Sequence, residues 1–394
     1  MDRHCRVVSA LIVSLALCLA SPLAGAREAP ALSQQKLAEL QRLENDPQLK
    51  RAGETWTQAS REATRQHLRA VAAQGDARSL LAASMLWSGF GALADDAPQL
   101  QAKPAQETRA WFDAARRAHP RDVLVAWIEA SDCNGLSDNC NAREALQFLL
   151  QAEPRNAAVQ LLALSAAEKR GDRKAVDGYW RAAAAASIYD AHTLEIGRLL
   201  HATMAGVEQP PLEPRLAKAM GVWFALNRPA TAQDFADVGL IGMSAALAMP
   251  GLLPVTRECK AGKLAAASLE RQAECERVLE LLAADESTLL APMIALPKLV
   301  ELSTDSAEGK AWREQLRQFY WVYENMQQRL PGLSPGGPLP AEYGTWFMTE
   351  GELSAMHKAL AHYRVPQRAP AGWLPSTPRY RALVSTGREP ASAE

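Results

Sequence analysis

The chain has 394 residues, of which 48% are hydrophobic and 22% are charged. These proportions exclude a disordered or collagen-like chain. With 43 basic and 44 acidic residues the formal net charge is -1, so the surface as a whole offers no electrostatic case for binding nucleic acid or an anionic membrane.

Residues 1–26 read MDRHCRVVSALIVSLALCLASPLAGA. Arg3 and Arg6 form a basic start, Val7 to Ala20 is almost uninterruptedly apolar, and Ala24-Gly25-Ala26 is a small-x-small cleavage site. This is the layout of a secretory signal peptide and places the mature N-terminus at Arg27. A membrane anchor needs about 20 apolar residues, and this run is shorter and ends at Pro22. Leu17 precedes Cys18 where lipoprotein signals carry a small residue, so Cys18 is read as part of the apolar run. The expectation is a protein exported to a bacterial periplasm, with no stable membrane insertion after cleavage. Removal of Cys5 and Cys18 leaves Cys133, Cys140, Cys259 and Cys275. Four cysteines allow three pairings. The sequence-local one, Cys133–Cys140 with Cys259–Cys275, is expected because an oxidising compartment favours structural disulfides. Neither spacing is that of a redox CxxC or a zinc ribbon.

The mature chain is rich in helix formers, has no convincing strand, and shows 3.6-residue apolar stripes throughout. A short first helix is expected from Leu32 to Leu43. His119-Pro120-Arg121-Asp122 and Glu153-Pro154-Arg155-Asn156 then stand 34 residues apart. The same offset matches Phe112 with Leu146, Val125 with Val159, Trp127 with Leu161 and Ile128 with Leu162. A second step matches Leu146 with Trp180, Leu149 with Ala183 and Ala157 with Ala191. A repeat of this length is the signature of stacked helix pairs.

Within Ala157 to Tyr189, the turn Gly171-Asp172, the small Ala175, the aromatic pair Tyr179-Trp180 and Ala183 make the segment resemble a tetratricopeptide or Sel1-type helical repeat. The resemblance covers residues 106–205. Gln160, Ala163 and Leu164 stand where that family has tryptophan, leucine and glycine. Gly171 is suited to end one helix in a left-handed conformation and Asp172 to cap the next. The fold this implies is all-α, a right-handed solenoid of antiparallel helix pairs over 27–211. Placed in register, the first helix of each pair presents Trp127, Ser131, Ser165, Glu168, Lys169, His192 and Glu195 on a concave groove.

Beyond Pro210-Pro211 the 34-residue phase is lost, and a soft boundary is placed there. Helical stripes continue at 214–228, 232–249, 263–284, 288–302 and 309–329. A Pro- and Gly-rich loop over 330–340 precedes one more helix from Glu350 to Tyr363. The Pro-, Ala- and Arg-rich residues 364–394 carry no helical stripe and are expected to be extended or disordered. Trp346 and Trp373 fall in loop or tail sequence and are candidates for contact with a partner.

Fragments of catalytic signatures occur without their partners. Ser33-Gln34-Gln35-Lys36 and Ser137-Asp138-Asn139 have the spacing of two elements of the serine β-lactamase and penicillin-binding family. The third, Lys-Thr-Gly on a strand, is absent, Lys260-Ala261-Gly262 being a near miss. Glu286-Ser287 has the catalytic dipeptide of soluble lytic transglycosylases but not the run that follows it. There is no HExxH, and His357 and His362 are five apart, facing different ways on a helix. Ser306-Ala307-Glu308-Gly309-Lys310 lacks the glycines of a phosphate loop. The expectation is therefore no catalytic residue, no metal and no cofactor, and a module that binds a protein or peptide partner. The alternative is an enzyme of unfamiliar type with its site in 212–363.

Overall fold

The computed structural model describes residues 34–91, 105–224, 226, 228–247, 251–303, 306–328 and 339–390. The expected signal peptide, Ser33 and most of the 330–340 loop lie outside the described residues. Within them the chain is all-α: nineteen helices, no strand, and one isolated bridge between Asn156 and Ile188.

The first nine helices are α1 (Gln34–Glu44), α2 (Pro47–Ala72), α3 (Ala77–Leu86), α4 (Gln106–Arg117), α5 (Val123–Ala130), α6 (Ala142–Ala152), α7 (Ala157–Lys169), α8 (Arg173–Ala184) and α9 (Thr193–Ala205). Their starts are written in the sequence. Asp46, Asp76, Asp122, Asn156 and Asp172 each accept hydrogen bonds from first-turn N–H groups, satisfying donors that a helix leaves open. Gly171 is left-handed, with φ of 72°, and Asp172 Oδ1 accepts from Ala175 N at 3.0 Å, as the Gly-Asp turn leads one to expect. Consecutive helices pack on each other: α3 on α4, α5 on α6 and α7 on α8.

The 34-residue correspondence reappears as burial. Phe112, Leu146 and Trp180 are all buried, as are Val125 with Val159, Trp127 with Leu161, and Ile128 with Leu162. The polar landmarks repeat too: Asp122 and Asn156 cap α5 and α7, and at the next step Asp190 Oδ1 accepts from His192 N at 2.7 Å.

The remaining helices are α10 (Pro214–Trp223), α11 (Ala232–Ala246), α12 (Leu252–Glu258), α13 (Ala261–Leu264), α14 (Leu269–Ala283), α15 (Leu290–Leu302), α16 (Ala307–Gln327), α17 (Tyr343–Glu350), α18 (Glu352–His362) and α19 (Pro378–Thr386). One stripe read as a single helix is divided, and one helix forms where loop was expected. Residues 263–284 break into α13 and α14, because Ser268 restarts the helix by accepting from Arg271 N. The helix expected from Glu350 to Tyr363 runs from Glu352 to His362, and the sequence before it, expected as loop, forms α17; the two meet at Gly351, with φ of 98°, where a Cβ would lie 2.8 Å from the Glu286 carbonyl oxygen. Only glycine combines that backbone with that approach.

Three hydrophobic cores result. The first joins α2–α9 and also takes Ala236, Leu240 and Met348 from beyond residue 211. Pro210 itself is tied back, its carbonyl accepting from Trp56 Nε1 at 2.9 Å. The second sets Leu161, Leu164 and Trp180 of the repeats against Leu252 and Val255 of α12, Val278 and Leu282 of α14 and Leu299 of α15. The third joins α15, α16 and α18 to the C-terminal segment.

That segment differs from the expectation for 364–394. Residues 364–377 contain no helix, but Pro378–Thr386 is helical and Leu383 is 0% exposed. Tyr380 stacks on Tyr320 with ring centroids 4.0 Å apart, and Trp321 Nε1 donates to the Pro366 carbonyl at 2.7 Å. Nine residues hold a helix here because α15 and α16 supply the surface, not because of their own propensity.

Candidate functional site

The residues assigned to a concave groove do not share an open surface. Trp127 is 2% exposed and His192 3%, and Ser131 is also buried. Helices α5 and α7 are covered on both sides: α3 lies against α5, and α12 lies against α7. Where an open groove was expected, Leu161 and Leu164 of α7 pack into the second core against α12, α14 and α15. Trp127, Ser131 and His192 are thereby corrected from groove surface to interior.

Part of the set does meet. His192, left-handed with φ of 56°, lays its ring edge-on to Trp127 at 5.3 Å. Its Nε2 lies 3.0 Å from Glu153, and its Nδ1 lies 3.7 Å from Glu195 and 4.0 Å from Asp190. Burial alone would push the imidazole down. The Glu153 hydrogen bond and the charges of Asp190, Glu153 and Glu195 outweigh it, and the net shift is upward. Glu195 also pairs with Arg78 at 2.8 Å. These contacts tie the end of α6, the start of α9 and the start of α3 together. Ser165, Glu168 and Lys169 lie elsewhere on α7. Ser165 Oγ is buried, Glu168 pairs with Arg257 of α12, and Lys169 is exposed.

Both sequence-local cysteine pairs stand at disulfide distance, with Cα–Cα separations of 6.2 Å for Cys133–Cys140 and 5.6 Å for Cys259–Cys275. Trp346 lies inside α17 and not in a loop, with Lys358 Nζ 5.5 Å above its ring. Trp373 packs edge-on against Trp321 at 5.2 Å. Of the catalytic fragments, Ser137 Oγ donates to Asp113 at 2.9 Å, Ser287 Oγ donates to Asp285 at 2.6 Å, and Glu286 is exposed. Among the described residues no group of three or more His, Cys, Asp or Glu is arranged to hold a metal ion, and no helix is long and apolar enough to cross a membrane.

The structure places a charged cleft where the sequence shows no motif. About 990 Å³ in volume, it lies where the corner of α12 and α13, the end of α15, the start of α16 and the end of α19 meet. Lys260, Lys298, Arg379 and Arg388 line it, with Glu301, Glu389, Ser303 and Ser306. Lys298 Nζ donates to the Thr256 and Cys259 carbonyls, both at 3.3 Å, and burial holds its pKa below the usual lysine range. Arg379 Nε donates to Glu389 Oε1 at 2.6 Å. Burial first, then the neighbouring Glu389 carboxylate, pushes Glu301 up to about 7. A perturbed lysine and a perturbed glutamate in one cleft make it a candidate site.

The one sequence signal for this cleft is easily passed over. Lys298 and Glu301 are the only charged residues of α15, LAPMIALPKLVEL, and stand three apart on one face. Lys260-Ala261-Gly262 and Ser306, noted above for other reasons, also line it.

Comparisons with models of protein families, with curated proteins and with solved structures find no match to this chain.

Proposed function

We propose that this chain is an exported, periplasmic protein-interaction or scaffold module built on tetratricopeptide-like helix pairs stacked as a right-handed solenoid. The observation that carries the reading is the 34-residue phase, whose matched positions are buried in successive helix pairs. Stacked pairs of this kind serve mainly as binding scaffolds. Two cysteine pairs at disulfide distance support an oxidising compartment, and the layout of residues 1–26 supports export. With the groove filled by α12 and its neighbours, the binding surface is assigned to the charged cleft. A photo-crosslinking residue placed in the exported protein at Gly262, an exposed position of the cleft where a Cβ meets nothing within 4 Å, should capture a discrete partner protein, and N-terminal sequencing of the same material should begin at Arg27. Folded protein that yields no crosslink above background overturns the interaction role. An intact Met1 overturns export.

A second reading, an enzyme with its site in 212–363, draws on Lys298 and Glu301 lying in one cleft with shifted pKa values. The two main-chain carbonyls that hold the Lys298 ammonium favour a structural role for it.

A further inference from the structure

We propose that the cleft is a receptor for a carboxylate-rich peptide segment, and that the chain's own Glu389 already takes one of its carboxylate positions. This rests on the interaction reading above and names the class of partner. Lys260 at the start of α13, Lys298 in α15, Arg379 in the first turn of α19 and Arg388 beyond its end come from separate segments to one cavity, against two carboxylates, Glu301 and Glu389. Helix α16, 21 residues long, begins at the same wall with Ser306 as its N-cap, and the positive end of its dipole favours negative charge.

A second observation is independent of charge. Ser303 lines the cleft at 8% exposure, and its Oγ has no hydrogen-bond partner among the described residues. A buried hydroxyl without a partner is costly, and an incoming oxygen acceptor would satisfy it.

Glu389 shows what kind of group the site accepts. Its Oε1 meets both Nε and Nη2 of the Arg379 guanidinium, a charge-assisted contact that any carboxylate oxygen can make. Lys260 and Arg388 are exposed at the rim while Lys298 lies deeper, so cations are spread over more than one residue's reach. Small-molecule pockets are mostly apolar with few polar groups. A wall this heavily charged suits an acidic chain segment better.

The test is calorimetric titration of the mature protein with tetraglutamate, tetralysine and inorganic phosphate at low salt. Tetraglutamate is expected to bind and tetralysine not to. The exposed double variant K260E/R388E, its fold checked by thermal melting, should weaken tetraglutamate binding at least tenfold. E389Q should tighten it severalfold by removing the internal competitor. No tetraglutamate binding, or equal binding by K260E/R388E, overturns the proposal. Phosphate binding as tightly as the peptide overturns it in favour of a free-anion site. A crosslinked partner retained equally by wild type and K260E/R388E sinks the cleft and leaves the interaction reading standing. Tetraglutamate binding without any crosslinked partner sinks the interaction reading alone.

Discussion

His192 and Glu352 show how single buried ionisable groups couple this fold to pH: both lose stability as pH rises, His192 by giving up a stabilising charge and Glu352 by gaining a costly one. The His192 pKa is raised above its ordinary value of about 6.5, because Glu153, Asp190 and Glu195 surround it. A histidine raised on folding contributes stability that is fully present below the unfolded value and is lost as pH rises through the folded one. His192→Asn, chosen because asparagine tolerates the left-handed backbone, should therefore cost more stability at pH 5.5 than at pH 8.5 in urea unfolding. A cost independent of pH would mean that the imidazolium is not what Glu153 holds. Glu352 accepts from Leu289 N at 2.8 Å, and burial, with Asp285 adding to it, pushes its carboxyl up to about 7. A carboxyl raised on folding keeps a proton that the unfolded chain releases, so it removes stability as pH climbs from about 4.3 toward 7. Glu352→Gln is neutral and can still accept from Leu289. Its melting temperature should exceed the wild type's at pH 8 and approach it near pH 4.5. A constant difference across that window would place the carboxyl in water.

At the scale of the element, local signals worked where a cap or a turn residue acts alone. Asp122, Asn156, Gly171 and Asp172 set helix ends, and each reads directly from sequence. The two cysteine pairs were also legible, because each closes a short loop beside a helix end: Cys133–Cys140 between α5 and α6, and Cys259–Cys275 between α12 and α14. The larger loop, with a sequence separation of 16, should contribute about 3 kcal/mol in the chain-entropy model. Cys259→Ala with Cys275→Ala is the variant to unfold in urea, and reductant should lower the wild-type midpoint by more than it lowers that of the double variant, which keeps Cys133–Cys140. A midpoint insensitive to reductant would refute the bond. What local reading missed were the break at Ser268, the helix α17 before Gly351 and the helix α19. Gly351 looks unremarkable within a helical stripe until the Glu286 carbonyl is seen where its Cβ would be. In α19, PRYRALVST has too few apolar positions to show a stripe. Only Tyr320 and the niche around Leu383 reveal which of its faces is inward.

For the whole molecule, the C-terminal segment works as a strap across α16. Arg317 Nη1 donates to the Pro370 carbonyl, Gln318 Oε1 accepts from Ala369 N and Glu324 Oε1 accepts from Ser376 N, each at 2.8 Å. Leu383→Ala should cost about 2–5 kcal/mol, as large-to-small changes in a close-packed core do. Truncation after Tyr363 should cost more, since it also removes Tyr380 from Tyr320 and opens the third core to water. Equilibrium urea unfolding measures both. A truncated chain with an unchanged midpoint would show that the strap does not dock in solution. The same truncation deletes Arg379, Arg388 and Glu389, so the cleft and the third core stand or fall together.

The sequence by itself determined the helical class, the 34-residue phase and the cysteine pairing, because each depends on residues close in the chain: a 3.6-residue stripe, a cap, a short loop. It did not determine which apolar face meets water. Trp127 and Leu161 are equally apolar whether a neighbouring pair or a later helix covers them, and the covering helices of the second core come about a hundred residues further on. Only the tertiary structure decided that the groove is filled. It alone brings Lys260, Lys298, Arg379 and Arg388 together, since a cleft assembled from distant segments leaves no spacing to read.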